Sequence, residues 1–257
     1  MRAEEPHPQN APRTVSVHES LVSERLPILY TLLRGLARPI LRSVFGFRVE
    51  GAEKVPRSGP VLIAANHSNY LDGVVLGAAL SRKITFLVMP SVYHATPLHP
   101  AFHRHVGSIS ISLERPDPGA IKRTLQLLEA GEVVGIFPEG PFGLEGRLVR
   151  GQPGVALIAL RAGIPVVPAA IFGTYQSIAG GILHLPRPHP LRVRFGDPLC
   201  FGRYRRERRV SQPIREEVTR RIMAEIARLL EPEAEQAGEA EMGHQPGLPR
   251  AGLPRPE

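Results

Sequence analysis

A chain of 257 residues with 42% hydrophobic content is long enough to bury one sizeable core, and one domain is the default. Its formal net charge of +8, carried mostly by arginine, suits phosphate, carboxylate or an anionic surface; with 5% aromatic residues, no Trp and no helix-turn-helix, RNP or zinc-finger signature, nucleic acid is excluded as a partner. Cys200 is the single cysteine, so no internal disulfide can form, and the absence of a basic, apolar and cleavage-site pattern at the start leads us to expect a reducing, cytosolic compartment.

In chain order, residues 1–24 are rich in Pro, Glu, His and Ser without periodicity and read as a disordered tail. Residues 25–45 follow with Ile28, Leu29, Leu32, Leu33, Leu36, Ile40, Leu41 and Val44 at helical spacing, and with Arg34, Arg38 and Arg42 as a basic stripe beside them. Three arginines are too costly for a simple membrane span, so this segment either lies in a bilayer interface or packs over the core. Pro39 is expected to divide it into two short helices. Short β-rich runs then alternate with helical ones. Strands are expected at Phe45 to Glu50, Val61 to Ala65, Ile84 to Met89, Ser108 to Ser112, Val133 to Phe137, Val166 to Phe172 and Leu191 to Phe195. Helices are expected near Asp72 to Leu80, Val92 to His105, Gly119 to Ala130, Gly154 to Ala162 and Gln212 to Leu230, with Gly131 and Gly163 as C-terminal stops. This alternation implies an α/β domain, a mostly parallel central sheet covered by helices, over residues 46–231. Residues 232–257, where Gly-Leu-Pro-Arg occurs twice, read as a second disordered tail.

Two of the expected strands run out into turns that carry chemistry: Asn66-His67-Ser68-Asn69-Tyr70-Leu71-Asp72 after the first, and Phe137-Pro138-Glu139-Gly140 after the second. Ligands of open α/β sheets bind beyond the carboxyl ends of the strands, so His67, Asp72 and Glu139 can converge there. On a regular helix, His67 and Asp72 would lie about 140° apart and could not share a face. With His67 in the turn and Asp72 in the first helical turn, the carboxylate can fold back to an imidazole nitrogen and fix its tautomer, which is a general base. The same Asp can also serve as a helix cap. Glu139 can accept hydrogen bonds from substrate hydroxyls or steady its loop, and Gly140 is expected to supply close backbone approach or a positive φ. No Gly-x-Ser-x-Gly elbow is present, and Cys200 is far in sequence from either turn, so no protein nucleophile is implied.

These residues resemble the glycerolipid acyltransferases typified by 1-acylglycerol-3-phosphate acyltransferase. Asn66-His67-x4-Asp72 resembles that family's first block, Gly107-Ser108-Ile109-Ser110-Ile111 the second, Phe137-Pro138-Glu139-Gly140 the third and Ile164-Pro165-Val166-Val167-Pro168 the fourth, in order and with matching spacing over residues 45 to 200. The resemblance implies that His67 and Asp72 are catalytic, and that Asn66, Gly107, Glu139, Gly140 and Pro168 belong to the substrate site, the fourth block shaping an acyl slot. It also implies transfer of a fatty acyl group from acyl-CoA or acyl-carrier protein to the hydroxyl of a lysophospholipid, with no cofactor or metal, at the cytoplasmic face of an anionic membrane that residues 25–45 dock. Two positions depart from the family. Leu113 stands where the second block carries a phosphate-gripping Arg, with Arg115 two residues on, and Pro141-Phe142-Gly143 replaces the usual Thr-Arg-Ser. Arg115, Arg147 and Arg150 are therefore the candidate phosphate ligands. Another lyso-lipid acceptor, hydrolysis at the same His, and a catalytically idle membrane-binding scaffold remain alternatives. His94, His99, His103 and His105 cluster without a His-Glu-x-x-His pattern and read as a solvated or interfacial face, while the Arg203 to Arg209 run suits anionic lipid.

Overall fold

In the structure, a computed structural model, residues 17–94, 97, 99–112, 117–140, 147–179, 187–202 and 210–231 are described. Within them, seven strands form one sheet: β1 (Arg48–Glu50), β2 (Val61–Ala65), β3 (Ile84–Val88), β4 (Ile109–Ser110), β5 (Val133–Ile136), β6 (Val166–Phe172) and β7 (Arg192–Phe195). The strand order is β1-β7-β6-β2-β5-β3-β4. β2, β3, β4, β5 and β6 run parallel to one another, while β7 runs against β6, and β1 runs with β7. The helices are α1 (Val17–Phe45), α2 (Leu71–Ala79), α3 (Pro90–Tyr93), α4 (His99–Val106), α5 (Pro118–Glu129), α6 (Gly154–Ala162), α7 (Thr174–Ala179) and α8 (Gln212–Leu230). The expected α/β architecture is the observed one.

Side chains alternate across the sheet and divide its core into two layers. Val61, Ile63 and Ala65 face one layer with α2, Val167, Ala169 and Phe195. Leu62 and Ala64 face the other with Val134, α6 and α8. Every residue of β2 is buried, as both faces of a covered parallel sheet require. At two helix ends, Gly131 (φ 83°) and Gly163 (φ 64°) provide the left-handed turn expected of them.

Four expectations need correction. α1 is one helix that starts at Val17, inside the stretch read as a tail, and it continues through Pro39. Pro39 removes one intrahelical bond, but the following turn is anchored by Leu41, which is buried in the core. The helix expected over Val92 to His105 is instead α3 and α4, each placing a proline in its first turn (Pro90, Pro100), where a missing N–H costs nothing. The strand expected over Ser108 to Ser112 shrinks to the two residues of β4 at the sheet edge. α7 lacked any sequence signal, being six residues long. The Arg203 to Arg209 run, Arg115, residues 1–16 and the tail from 232 lie outside the described residues.

Candidate active site

The turn after β2 brings His67 back to Asp72. His67 Nδ1 is 2.9 Å from Asp72 Oδ2, and that same oxygen accepts from the backbone N–H of Ser68 (2.6 Å) and Asn69 (2.9 Å). Asp72 is therefore the histidine's partner and the acceptor that closes the turn before α2, with its side chain fully buried; it does not cap α2, whose N-cap position is Tyr70. Because a carboxylate accepts, the shared proton sits on Nδ1, and Nε2 is the basic nitrogen of the neutral ring.

The imidazole lies flat on Phe137, at a centroid distance of 4.0 Å and an interplanar angle of 9°, and Phe137 stacks in turn near Phe86 at 5.9 Å. Phe86 lies over Gly135, where an added Cβ would stand 2.6 Å from the ring, so the glycine in β5 is what admits this aromatic column. The turn that follows β5 is closed by a bond from Gly140 N–H to Phe137 O (3.1 Å), with Pro138 in its second position and Gly140 at φ 86°.

Glu139 is buried, and it clamps two segments together. Oε1 accepts from the backbone N–H of His67 (2.7 Å) and Oε2 from that of Val149 (2.8 Å). Burial raises its pKa above the ordinary carboxylate range, against the opposing effect of the Val149 and His67 N–H bonds. Of the two readings open for Glu139, this geometry is the loop-steadying one. Gln152 N–H donates to Pro138 O at 2.6 Å, tying the same loop a second time.

Asn66 spends both ends of its amide on Ile171, donating to its carbonyl (3.0 Å) and accepting from its N–H (2.7 Å), which extends the β2–β6 ladder by one pair just below His67. Gly107 (φ 81°) ends α4, near Lys83 rather than His67. Arg147 and Arg150 are exposed on the loop that Glu139 holds. Pro168 is inside β6, where its carbonyl accepts from Gly196 N–H at 2.8 Å.

His67 stands at the mouth of an apolar chamber of about 500 Å³. Its walls come from α1 (Leu33), α2 (Gly73, Gly77), β3 (Phe86), α4 (Phe102) and α6 (Val155). No residue from Ile164 to Pro168 lines it, so the apolar slot expected of that strand is built elsewhere. At the far end, Tyr30 Oη accepts from Ile84 N–H (3.3 Å) and Arg34 donates to Leu80 O (2.7 Å), so the chamber runs the length of β3, about 13 Å. His103 and Ser108, 3.1 Å apart, give its wall a polar spot, and Gln152 places an amide at its mouth. His103, read from sequence as part of a solvated or interfacial face, is instead buried in this wall; the other lining groups were not singled out as site residues because the segments that contribute them are far apart in the chain.

Fold and site together define an α/β domain that sets a His–Asp pair at the opening of a chamber for an apolar ligand. The sequence profile of the Acyltransferase family matches residues 46–172, and the chain is similar in sequence to glycerolipid acyltransferases. It is 28% identical to the 1-acyl-sn-glycerol-3-phosphate acyltransferase of Bacillus subtilis (strain 168), over 66% of this chain and 82% of that one. It is likewise 28% identical to an uncharacterised protein of Mycobacterium tuberculosis (strain ATCC 25618 / H37Rv), and spans 57% of that relative's length. In fold it is similar to the crystal structure of the 1-acyl-sn-glycerophosphate acyltransferase PlsC from Thermotoga maritima, with a TM-score of 0.62, 16% identity and 90% of each chain covered.

Proposed function

We propose that the protein transfers a fatty acyl group from acyl-CoA or acyl-carrier protein to the free hydroxyl of a lysophospholipid, with 1-acylglycerol-3-phosphate as first candidate, giving phosphatidic acid. The observation that carries this reading is the His67–Asp72 pair, 2.9 Å apart, at the mouth of a 500 Å³ apolar chamber long enough for much of an acyl chain. His67 Nε2 takes the acceptor's proton as its oxygen attacks the thioester carbonyl, and Asp72 stabilises the imidazolium. When the tetrahedral intermediate collapses, the C–S bond breaks and the imidazolium returns the proton to the leaving thiolate. Relatives named for this activity, in Bacillus subtilis and in Arabidopsis thaliana, support the choice of acceptor.

The site is proposed to work at the cytoplasmic face of a membrane. Among the described residues no helix is long and apolar enough to cross one. α1 nonetheless turns Leu32 (64% exposed), Leu36 (63%), Ile40 and Val44 outward, with Arg38 and Arg42 also exposed. An apolar row flanked by cations suits a helix lying in the interface of an anionic bilayer.

Purified protein supplied with labelled acyl-CoA and lysophosphatidate tests the reaction. The expected product is labelled phosphatidic acid, with a loss of at least about a hundredfold in His67→Ala. Free fatty acid alone would replace transfer by hydrolysis, transfer to a different lyso-lipid would reassign the acceptor, and full activity in His67→Ala would remove the mechanism.

A further inference from the structure

The edge of the sheet that carries His67 holds a second recess on its other side. β7 and β1 run against β6, so their first residues, Arg192 and Arg48, lie at that same edge. Register pairs set Phe172 beside Arg192 and Arg192 beside Arg48, so the three side chains share one face across three strands. The Arg192 guanidinium lies 4.3 Å over the Phe172 ring and 3.3 Å from Glu50 Oε1. Glu50 Oε2 is 2.6 Å from Arg194 Nε, so one carboxylate already serves two guanidinium groups. Arg48 is exposed; its backbone N–H donates to Leu191 O (3.0 Å), but its guanidinium has no hydrogen-bonding or carboxylate partner among the described residues. Like charges directly opposite one another are destabilising, and the Arg48 guanidinium, set beside Arg192 without a carboxylate of its own among the described residues, favours a bound anion.

These arginines line a recess of about 560 Å³ together with Gln176, His189, Gly46 and Gly173. Gly173 has φ 84°, and a Cβ there would run into the carbonyl of Pro190, so its wall is packed too closely for any larger residue.

We propose that this recess is a phosphate-binding site in which Arg48 and Arg192 hold a phosphate group and Gln176 supplies a neutral hydrogen-bond partner. The proposal rests on the acyl-transfer reading only for where the phosphate comes from. β7 and β1 lie two and three strand positions from β2, about 10 and 14 Å along the edge. A pantetheine arm, about thirteen bonds from thioester sulfur to first phosphorus, extends about 15 Å. A donor with its thioester at His67 thus brings its first phosphate to Arg48 and Arg192. The headgroup of an anionic lipid is the other source of the same chemistry, since α1 with its exposed Val44 leads directly into Gly46.

The test uses the full chain and its Arg48→Ala and Arg48→Glu variants, with melting curves to show that the fold is intact. Calorimetric titration with CoA should weaken about five- to tenfold in Arg48→Ala and further in Arg48→Glu, the scale of one partly exposed charge-assisted bond. The ratio of KM for palmitoyl-CoA to KM for S-palmitoyl-pantetheine, which lacks the phosphates, should rise by the same factor. A loss confined to sedimentation with phosphatidylcholine vesicles containing phosphatidic acid identifies a lipid headgroup as the occupant and also supports the site. Unchanged CoA and vesicle binding in both variants, or equal losses for palmitoyl-CoA and S-palmitoyl-pantetheine, would overturn it. Because CoA titration needs no turnover, failure of the transfer reaction and failure of this recess give different results.

Discussion

Replacing Glu139 by Gln separates a residue that holds the site from one that touches substrate. The carboxylate takes one backbone N–H on each oxygen, from His67 and Val149. A glutamine at this buried position can accept only one of them, and its NH2 faces the other N–H donor to donor. Leaving one buried N–H unmet costs about 1–3 kcal/mol. Removing a buried charge returns part of that, since burial already disfavours the ionised form of Glu139. A net loss of about 1–2 kcal/mol at neutral pH follows, or roughly 2–8 °C in Tm for a chain of this size. The kinetic effect should be larger. Once its backbone anchor is loosened, His67 can shift by about 1 Å, which costs ten- to a hundredfold in kcat, while KM for the acceptor should stay within about twofold. Assays with varied lysophosphatidate at saturating acyl-CoA, paired with thermal melts, read both. Unchanged Tm and kcat with a KM raised tenfold would refute the clamp and put Glu139 in contact with the acceptor.

The same carboxyl gives a pH dependence of definite sign. Its folded pKa lies above the unfolded value, so the folded chain binds this proton more tightly, and its contribution to stability declines as pH rises from the ordinary carboxylate range through the raised pKa. Denaturant titrations from pH 4 to pH 7 should show the stability gap between wild type and Glu139→Gln narrowing with rising pH, and a gap that widens would contradict the assigned shift. Phe137→Ala removes the surface on which the imidazole lies and a stacked pair worth about 0.5–1.5 kcal/mol beyond its area, so kcat should fall about tenfold or more with Asp72 still in place; an unchanged kcat would show that Asp72 alone orients the ring. Gly77→Leu fills the chamber beside Tyr30, whose Oη would lie 3.2 Å from a Cβ there, and should move the preferred donor in an acyl-CoA series to shorter chains, an outcome that unaltered chain selectivity would rule out. Leu36→Glu with Ile40→Glu should abolish sedimentation with anionic vesicles while the helical circular dichroism is kept, and full binding would remove α1 from the docking surface.

What was legible in the sequence follows from how local each feature is. β2, β6, α6 and α8 fall where their apolar runs and flanking glycine or proline place them, because burial on both faces leaves a dense, bounded pattern. His67 and Asp72 were legible as a pair because five residues of turn and helix leave few ways to join them. The partners of Glu139 were not, since they are backbone amides 72 and 10 residues away, which every residue but proline carries. The chamber was misplaced onto Ile164 to Pro168 for a related reason. An apolar strand in a covered sheet spends its side chains on the two core layers, whereas the cavity is assembled from α1, α2, α4 and β3, which meet only in three dimensions.

α1 shows how one helix can link the two halves of the proposed function. Its rows four residues apart divide the work: Leu33 and Ala37 line the chamber and Leu41 enters the core, while Leu32, Leu36, Ile40 and Val44 face outward. The wall proposed to receive an acyl chain is therefore next to the surface proposed to meet lipid, about 60–100° around the helix axis. Deleting the helix to test membrane binding would also open the chamber and expose α2, so loss of activity in a truncated chain would say nothing about docking. Outward-row substitutions leave the inner row intact. If they cost vesicle binding and activity on vesicle-borne lysophosphatidate, yet leave turnover of detergent-dispersed substrate unchanged, the bilayer serves to deliver the substrate. An equal loss on both substrates would mean that the outer row supports the chamber itself.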